Sequence, residues 1–403
     1  MIISFADMRD YEDELRKDLG SLENEHSLRV LKAFETRGLI LRFEGRELLN
    51  FSSNDYLGLS TEPSVMEAAI QATREYGTGG LSSRLVSGHS VLCESLEEEL
   101  ADFKKSKAAL VFPNGYTANL GIVSAFFSGK AVIFMDRLCH ASLIDAVKAG
   151  GQTFHRFRHN DLEHLEKLLQ AEKKSGDFII LTESVFSMEG DLAPLDGLIE
   201  LAKKYEARLY VDEAHATGVF GECGEGLSAQ AGLGKQGALP PGQSLVMGTF
   251  GKALGNYGAY FSGTALQKKW LVNKSRPFIY TTALPPGVLG GIRGAISFLK
   301  SRPGLGKELL EKSDQFRQRL VNEGFSLIHS DSQIISILTG DNGTTLDLST
   351  WLFEKGLLCA AIRPPTVEPG RARIRLTICR GHRDEDFERL VGALKAFRGR
   401  SGK

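Results

Sequence analysis

The sequence predicts a two-domain α/β protein, with a large domain on a buried, mostly parallel sheet and a smaller α+β domain at the C-terminus. From about residue 50, short β-rich runs alternate with helical stretches, which is typical of consecutive βαβ units. Beyond Pro285-Pro286 the pattern changes to two helices (287–300 and 306–323) and then short strands. At 403 residues the chain is also long for a single core. We expect an N-terminal helix and arm over 1–50, a large domain over 51–285 and a small domain over 286–403.

The individual elements follow from periodicity. Helical spacing at the N-terminus predicts an amphipathic helix that ends at Gly20, on the positions Phe5, Met8, Glu12, Leu15 and Leu19. The β-rich runs predict six strands of the large sheet: AALVF (108–112), AVIFM (131–135), TFHRF (153–157), FIILT (178–182), RLYVD (208–212) and SLVMG (244–248). Helices are expected between them, for example over 162–169 and from Pro194. The proline- and glycine-rich segment 232–244 is expected to form an exposed loop.

Composition excludes several classes of protein. The formal net charge of −1 argues against a nucleic-acid or membrane-surface binder. No apolar run reaches the roughly 18 residues that a membrane span needs. The first residues include acidic side chains where a secretion signal would be basic and apolar. The five cysteines are scattered and form no CxxC pair, which is typical of reduced thiols. We expect a cytoplasmic protein.

Polar residues follow five of the predicted strands directly. The carboxyl ends of parallel strands meet at one edge of the sheet, and ligands of such sheets bind there. The residues concerned are Asn114, Gly115 and Tyr116 after the first strand, Asp136 and His140 after the second, Glu183, Ser184 and Ser187 after FIILT, Asp212, Glu213 and His215 at the end of RLYVD, and Thr249 and Lys252 after SLVMG. This clustering predicts a ligand site at that edge.

Lys252 is the candidate nucleophile of this site. It lies between glycines in GTFGKALG (248–255), so a cofactor can approach it closely. A lysine in a loop is usually a solvated side chain. A partly desolvated lysine after a buried strand, however, is a usable amine nucleophile.

The candidate partners of Lys252 each have two interpretations. Asp212 either caps a helix or keeps the pyridinium nitrogen of pyridoxal phosphate (PLP) protonated. His215 is either a core histidine bonded to Asp212 or a contact of the same ring, and His140 either lies on the surface or stacks on an aromatic ring. Residues 114–116 offer backbone N–H groups at a helix start, which suit a phosphate or an ordinary capped turn.

Three other motifs fail on inspection. VDEAH (211–215) resembles the acidic box of a helicase, but Gly251-Lys252 is followed by Ala253, and Val246 stands where a phosphate loop needs its first glycine. GTGGLS (77–82) follows a helical segment and lacks the third glycine of a dinucleotide fingerprint. HRFRH (155–159) lies on an extended run, which gives no helical face for a metal. We expect no metal.

Six segments closely resemble the α-oxoamine synthases, PLP enzymes that condense an amino acid with an acyl thioester and release carbon dioxide. They are NFSSNDYLGLS (50–60), TESVFSMEGDLAPL (182–195), VDEAHATGVFG (211–221), GTFGKALG (248–255), RPFIYTTALPP (276–286) and AIRPPTV (361–367). The resemblance covers about residues 45 to 385. It implies a fold-type-I transferase, with a mostly parallel seven-stranded sheet in the large domain, PLP as cofactor and a homodimer with shared active sites.

The resemblance implies a role for each matched residue around the cofactor ring. Lys252 would hold PLP as an internal aldimine and then act as the base of proton transfer. Asp212 would pair with the pyridine nitrogen, His215 and Ser187 would lie near the phenolic oxygen, and His140 would stack on the ring.

Further roles concern the phosphate and the substrates. Gly115, Tyr116 and Thr249 would hold the phosphate, and Thr281 or Thr282 would reach the phosphate of the neighbouring subunit. The residues assigned to the substrates are Arg363, which would bind the amino-acid carboxylate as a bidentate fork, Thr366 beside it, Asn54 at the interface, and Arg29 on the acyl-chain side.

Within the family, FIYTTALPP, HRFRHNDLEHLE and AIRPPTV are most similar to the branch that condenses L-alanine with a pimeloyl thioester, of CoA or of a carrier protein, for biotin biosynthesis. Glycine C-acetyltransferase or another α-oxoamine synthase is the alternative. A silent homologue that only binds is a third hypothesis, but it predicts loss of the lysine or its partners. Two departures from the family pattern bear on the preference for an acyl donor. The family more often has proline directly after the valine of the arginine motif, whereas here Glu368 precedes Pro369. Leu81 interrupts a stretch that is commonly glycine-rich in the family.

Overall fold

The computed structural model describes residues 11–25, 27–127, 129, 131–172, 177–233 and 238–400. Phe5 and Met8, two positions behind the predicted N-terminal helix, lie outside these ranges. Within them, no helix is both long and apolar enough to span a bilayer.

The strands, in chain order, are β1 (Glu35–Arg37), β2 (Ile40–Phe43), β3 (Arg46–Asn50), β4 (Ala108–Phe112), β5 (Val132–Asp136), β6 (Thr153–Phe157), β7 (Phe178–Glu183), β8 (Arg208–Asp212), β9 (Ser244–Thr249), β10 (Ala259–Gly263), β11 (Ile334–Gly340), β12 (Leu357–Leu358), β13 (Ala360–Ile362) and β14 (Ala372–Thr377). The helices are α1 (Tyr11–Asn24), α2 (Pro63–Tyr76), α3 (Val91–Phe103), α4 (Gly115–Phe126), α5 (Ala141–Ala149), α6 (Leu162–Ala171), α7 (Leu195–Lys204), α8 (Leu227–Gln230), α9 (Ala265–Lys274), α10 (Arg276–Ile279), α11 (Pro286–Ser301), α12 (Leu305–Asn322), α13 (Asn342–Glu354) and α14 (Asp384–Arg400).

A seven-stranded sheet forms the centre of the chain, in the order β4-β10-β9-β8-β7-β5-β6. Strands β5 to β9 run parallel, whereas β10 is antiparallel to both of its neighbours. All six strands predicted from the β-rich runs are present, and the fold class is confirmed. The seventh strand, β10, had no separate prediction from its residues.

Both faces of this sheet are covered, because alternate side chains of each strand enter different cores. Ile133 and Met135 of β5 pack on the side of α4 and α5. Val132 and Phe134 of the same strand pack on the side of α6 and α7. With both faces covered, the carboxyl edge of the sheet is where side chains can meet a ligand.

The C-terminal region holds an antiparallel sheet in the order β11-β14-β13. The N-terminal arm joins this region: β1, β2 and β3 form antiparallel pairs, and β3 runs parallel to β12. Helix α11 packs on α2 and α3 of the preceding part of the chain. The predicted elements of this region are present, while the domain bounds at 50 and 285 stay a prediction.

Two local predictions were wrong. Helix α1 continues through Gly20 to Asn24, with open space around the glycine. A helical glycine costs only about 1 kcal/mol relative to alanine, so one glycine does not end a helix without a positive-φ cap. The segment 232–244 is not simply an exposed loop, since Leu233 and Leu239 are buried against the α6–α7 face; residues 234–237 lie outside the described ranges.

Candidate active site

The carboxyl edge of the large sheet brings acidic and hydroxyl side chains together. Glu183 ends β7 and Asp212 ends β8, and the two are paired in register. Side chains in register on parallel strands point to the same face, so the carboxylates lie side by side. Thr249 ends the next strand, β9, and all three residues are buried.

Lys252 lies in the turn after β9 and is half-buried. Its Nζ atom is 2.7 Å from Nε2 of His215. Burial lowers the pKa of Lys252 to about 8, although the charges of Asp212 and Glu183 oppose that shift. At pH 7.4 about a fifth of such an amine is neutral, against about a thousandth for an ordinary lysine. The neutral amine is the form that attacks a carbonyl or takes up a proton.

His215 is buried between Lys252 and Tyr56. Its Nδ1 is 2.6 Å from the Tyr56 hydroxyl, which in turn donates to Oδ1 of Asn54 at 3.2 Å. Burial and the nearby charge of Lys252 lower the pKa of His215 well below its ordinary value, so the ring is neutral. Both ring nitrogens are used by Lys252 and Tyr56, so His215 is not a core histidine bonded to Asp212.

Asp212 is held by two donors. Its Oδ1 accepts the backbone N–H of Ala214 at 2.9 Å, and its Oδ2 accepts Nδ2 of Asn119 at 2.9 Å. The contact two residues along the chain is a turn of the Asx type, and turn residues rather than an α-helix follow it. The interpretation of Asp212 as a helix cap is therefore wrong.

A hydrogen bond joins His140, in the turn between β5 and α5, to Glu183 at the end of β7. His140 caps α5: its Nδ1 accepts the backbone N–H of Ser142 at 3.2 Å and lies 2.8 Å from the Ser142 hydroxyl. The backbone N–H of His140 donates to Oε1 of Glu183. Burial, together with the adjacent Asp212, raises the pKa of Glu183 well above its ordinary value. The His140 ring is exposed at the mouth of an open crevice.

The start of α4 offers backbone donors to an anion. Asn114 caps this helix through its side chain, and Gly115 and Tyr116 form its first turn. The first-turn N–H groups of a helix have no intrahelical acceptor, and the helix dipole adds to their attraction for a phosphate. Thr249 is bonded within its own turn, where its hydroxyl donates to the Gly258 carbonyl at 2.8 Å.

The segment that contains Ser187 is tied to the C-terminal sheet by two buried arginines of β14. Arg375 Nε donates to the Ser187 carbonyl at 2.7 Å. Arg373 Nη1 pairs with Glu189 Oε1 at 2.8 Å and donates to the Met188 carbonyl at 3.2 Å. Sequence inspection missed these arginines, although ARIRLT alternates them with aliphatic residues in a strand that is buried on both faces.

The remaining predicted residues are those assigned to the substrates and to the neighbouring subunit. The Arg363 carbonyl accepts the backbone N–H of Thr366 at 3.0 Å, so these two residues form one turn. Thr282 pairs with Ser83 in an isolated bridge. The roles assigned to all of the site residues stay predictions, including those of Arg29, which is exposed, Asn54, Thr281, Thr282, Arg363 and Thr366.

Comparisons with known proteins agree with this geometry. The model of the aminotransferase class I and II family matches residues 46–394. An 8-amino-7-oxononanoate synthase of Gluconacetobacter diazotrophicus is 44% identical over 386 residues, which cover 94% of this chain and 95% of that protein. The chain belongs to the 8-amino-7-oxononanoate synthase group of this family.

Two solved structures are also similar to this chain. The 8-amino-7-oxononanoate synthase of Francisella tularensis is 28% identical, with a TM-score of 0.74 over 88% of this chain and 98% of that one. A serine palmitoyltransferase with PLP is 28% identical, with a TM-score of 0.89 over 98% of this chain and 100% of that one. The predicted family is confirmed, and the protein is a PLP-dependent acyltransferase.

The residues of the site fit PLP. A lysine amine with a lowered pKa, a buried carboxylate held by two donors and a capped helix start lie around one sheet edge. The amine would react with the carbonyl carbon of PLP, the carboxylate would pair with its ring nitrogen, and the N–H groups of the helix start would donate to its phosphate. Lys252, Asp212 and residues 115–116 are the groups that would hold it.

The lowered pKa of Lys252 predicts a pH dependence of PLP attachment. The neutral fraction of the amine rises about tenfold per pH unit below its pKa, which is about 8, and levels off above it. We therefore expect the rate of PLP attachment to the apo-protein, followed by absorbance, to rise up to about pH 8 and then flatten. Nα-acetyllysine, whose amine has a pKa of about 10.4, is the control and should still be rising there. A rate for the protein that parallels that of the control would contradict the prediction.

Proposed function

We propose that this enzyme condenses L-alanine with a pimeloyl thioester to give 8-amino-7-oxononanoate, carbon dioxide and a free thiol. The observation that carries the proposal is the group at the sheet edge: Lys252 within 2.7 Å of neutral His215, beside a buried Asp212. The names of the curated relatives support the alanine and pimeloyl branch over the glycine C-acetyltransferase alternative.

PLP, when bound, supplies a carbonyl carbon for the amine of the amino acid and a pyridinium ring that accepts an electron pair. Asp212 would keep a proton on the ring nitrogen, because a buried carboxylate favours the cation beside it. The neutral amine of Lys252 would remove the α-proton of alanine. His215, fixed by Tyr56, would keep that amine in position through its Nε2 atom.

Binding of the amino acid would fall to Arg363 and Thr366. Arg363 would bind the alanine carboxylate as a fork, with Thr366 in the same turn. In the net reaction, the α-carbon of alanine forms a bond to the acyl carbonyl carbon, the carbon–sulfur bond breaks and the thiol leaves. The bond from the α-carbon to the carboxylate then breaks to release carbon dioxide, and a proton replaces it.

We also propose a homodimer with shared active sites, in which Thr281 or Thr282 of one protomer reaches the phosphate bound by the other. Exposed apolar side chains near these residues support an interface, including Leu81, Leu85 and Tyr280. Sedimentation of the holo-protein should give twice the chain mass.

The experiment that tests the function mixes holo-protein with L-alanine and pimeloyl-CoA, then measures free thiol and identifies the product by mass spectrometry. We expect thiol and the C9 amino-ketone in equal amounts. Pimeloyl-carrier protein in a parallel reaction distinguishes the two donors. Thiol release with glycine and acetyl-CoA, but with neither pimeloyl donor, would move the enzyme to the glycine C-acetyltransferase branch.

A further inference from the structure

Asn119 is a buried amide on α4, behind the candidate active site. The side chain is 1% exposed. Its Nδ2 donates to Oδ2 of Asp212 at 2.9 Å and to Oγ of Ser142 at 2.9 Å, while its Oδ1 accepts the hydroxyl of Tyr210. Both amide hydrogens and the carbonyl oxygen are therefore used, by two residues of β8 and one of α5.

The Asp212 contact determines which way round the amide lies. A carboxylate only accepts hydrogen bonds, so the Asn119 atom 2.9 Å from Oδ2 of Asp212 must be the nitrogen. The amide oxygen is then left to accept the hydroxyl of Tyr210, which keeps its proton because burial raises its pKa well above its ordinary value. In the reverse orientation, the amide oxygen would face the carboxylate, acceptor against acceptor.

Ser142 passes this orientation on to His140. Its hydroxyl oxygen accepts from Asn119, so its own proton is available for Nδ1 of His140 at 2.8 Å. The backbone N–H of Ser142 donates to the same nitrogen at 3.2 Å. A ring nitrogen that accepts from two donors carries no proton, so the proton of a neutral His140 is on Nε2.

The charged groups around His140 come from several elements. Burial lowers the pKa of His140; Asp212 on β8 and Asp145 on α5 oppose that shift, and Lys252 after β9 adds to it. The carboxylate of Glu183 on β7 accepts the backbone N–H of His140. Apart from that backbone contact, the direct hydrogen bonds described for the ring are those from Ser142, and they act at Nδ1.

We infer that Asn119 is a positioning residue for two groups at once: it fixes the carboxylate of Asp212 and, through Ser142, holds His140 with its proton on Nε2. The inference rests on the proposed function only in that Asp212 and His140 would face PLP and the substrate. The first test of the inference uses neither alanine nor an acyl thioester. A failed condensation assay would therefore not contradict the inference.

The first test is the state of His140 in the apo-protein, measured by ¹⁵N NMR with labelled histidine. The His140 signals are assigned as those lost in His140→Gln. We expect an unprotonated Nδ1 and a protonated Nε2. In Ser142→Ala only the longer backbone contact remains, so a share of the ring protonated at Nδ1 should appear. A proton on Nδ1 in the unchanged protein, or no change in Ser142→Ala, would overturn the His140 half of the inference.

The second test is PLP binding by Asn119→Leu, which keeps the volume of the side chain and removes both donors. Loss of a hydrogen bond to a charged group should weaken PLP binding by about ten- to a hundredfold and shift the pH titration of the bound cofactor's absorbance. Ser142→Ala keeps the Asp212 contact and should bind PLP within about threefold of the unchanged protein.

Ser313→Ala is the matched control, since Ser313 is also fully buried and donates to a backbone carbonyl remote from the site, that of Leu309. Its PLP binding and His140 signals should be unchanged. If Asn119→Leu does not fold, Asn119→Asp keeps the shape and sets a carboxylate against Asp212, with the same expected loss. Unchanged PLP binding in the folded variant would overturn the Asp212 half.

Discussion

Replacing Lys252 with alanine should lower turnover by at least about 10³-fold, because one amine would both attach the cofactor and move the α-proton. The lysine is half-buried, and its Nζ contacts the neutral ring of His215 at 2.7 Å. No water molecule at that position could match an amine whose pKa burial lowers to about 8. Lys252→Arg should fail equally, since a guanidinium does not lose its proton in this range.

The measurement is thiol release from pimeloyl-CoA with L-alanine, together with peptide mass spectrometry after borohydride reduction. Reduction should add the mass of the cofactor to the peptide that contains residue 252, and this mass should be absent in Lys252→Ala. Lys204→Ala is the control, because Lys204 is exposed and pairs with Glu166 away from the sheet edge. Retention of the cofactor mass on another lysine, with turnover intact, would refute the assignment.

Replacing Asp212 with asparagine should lower turnover by at least about 10²-fold, the usual effect of removing one preorganised electrostatic contact. The substitution keeps the shape of the side chain but removes its charge. It also sets an amide hydrogen against one of two donors, Asn119 or the N–H of Ala214, because both carboxylate oxygens already accept. The cofactor should bind more weakly, and its absorbance should respond differently to pH.

Asp136→Asn separates this effect from a general loss of stability. Asp136 ends β5, is equally buried, and accepts backbone N–H groups from Leu138 and Asn160, each at 2.8 Å. Its other partner is His159, not the Lys252 group. We expect similar thermal destabilisation from both variants and a large loss of turnover from Asp212→Asn only. Equal losses of turnover in the two variants would show that burial, not the position of the charge, accounts for the result.

Local pattern predicted most of the fold. The six β-rich runs form β4 to β9, since each is short, rich in β-branched or aromatic residues and bounded by turn- or helix-forming segments. Pattern failed where local propensity is weak: Gly20 lies within α1, and Leu233 and Leu239 are buried although their segment is rich in turn-forming residues. In both places the outcome depends on neighbours that periodicity does not specify.

The candidate site was predicted less completely. Strand-end position indicated Asp212, His215, Thr249 and Lys252, since the edge of a parallel sheet collects whatever follows each strand. The partners that hold them were missed. Tyr56 comes from a loop far along the chain and Asn119 from the buried side of a helix, where an amide shows no periodic signal.

By itself, the sequence determined the alternating α/β fold, the family and the sheet edge at which Lys252 lies, because these depend on local pattern and on motifs with fixed spacing. Only the tertiary structure decided which groups touch. In the structure, His215 contacts Lys252 and Tyr56 rather than Asp212, and Asp212 accepts a hydrogen bond from Asn119. Hydrogen bonds and the burial that lowers the pKa of Lys252 depend on distances between residues remote in the chain, which spacing along the sequence does not specify.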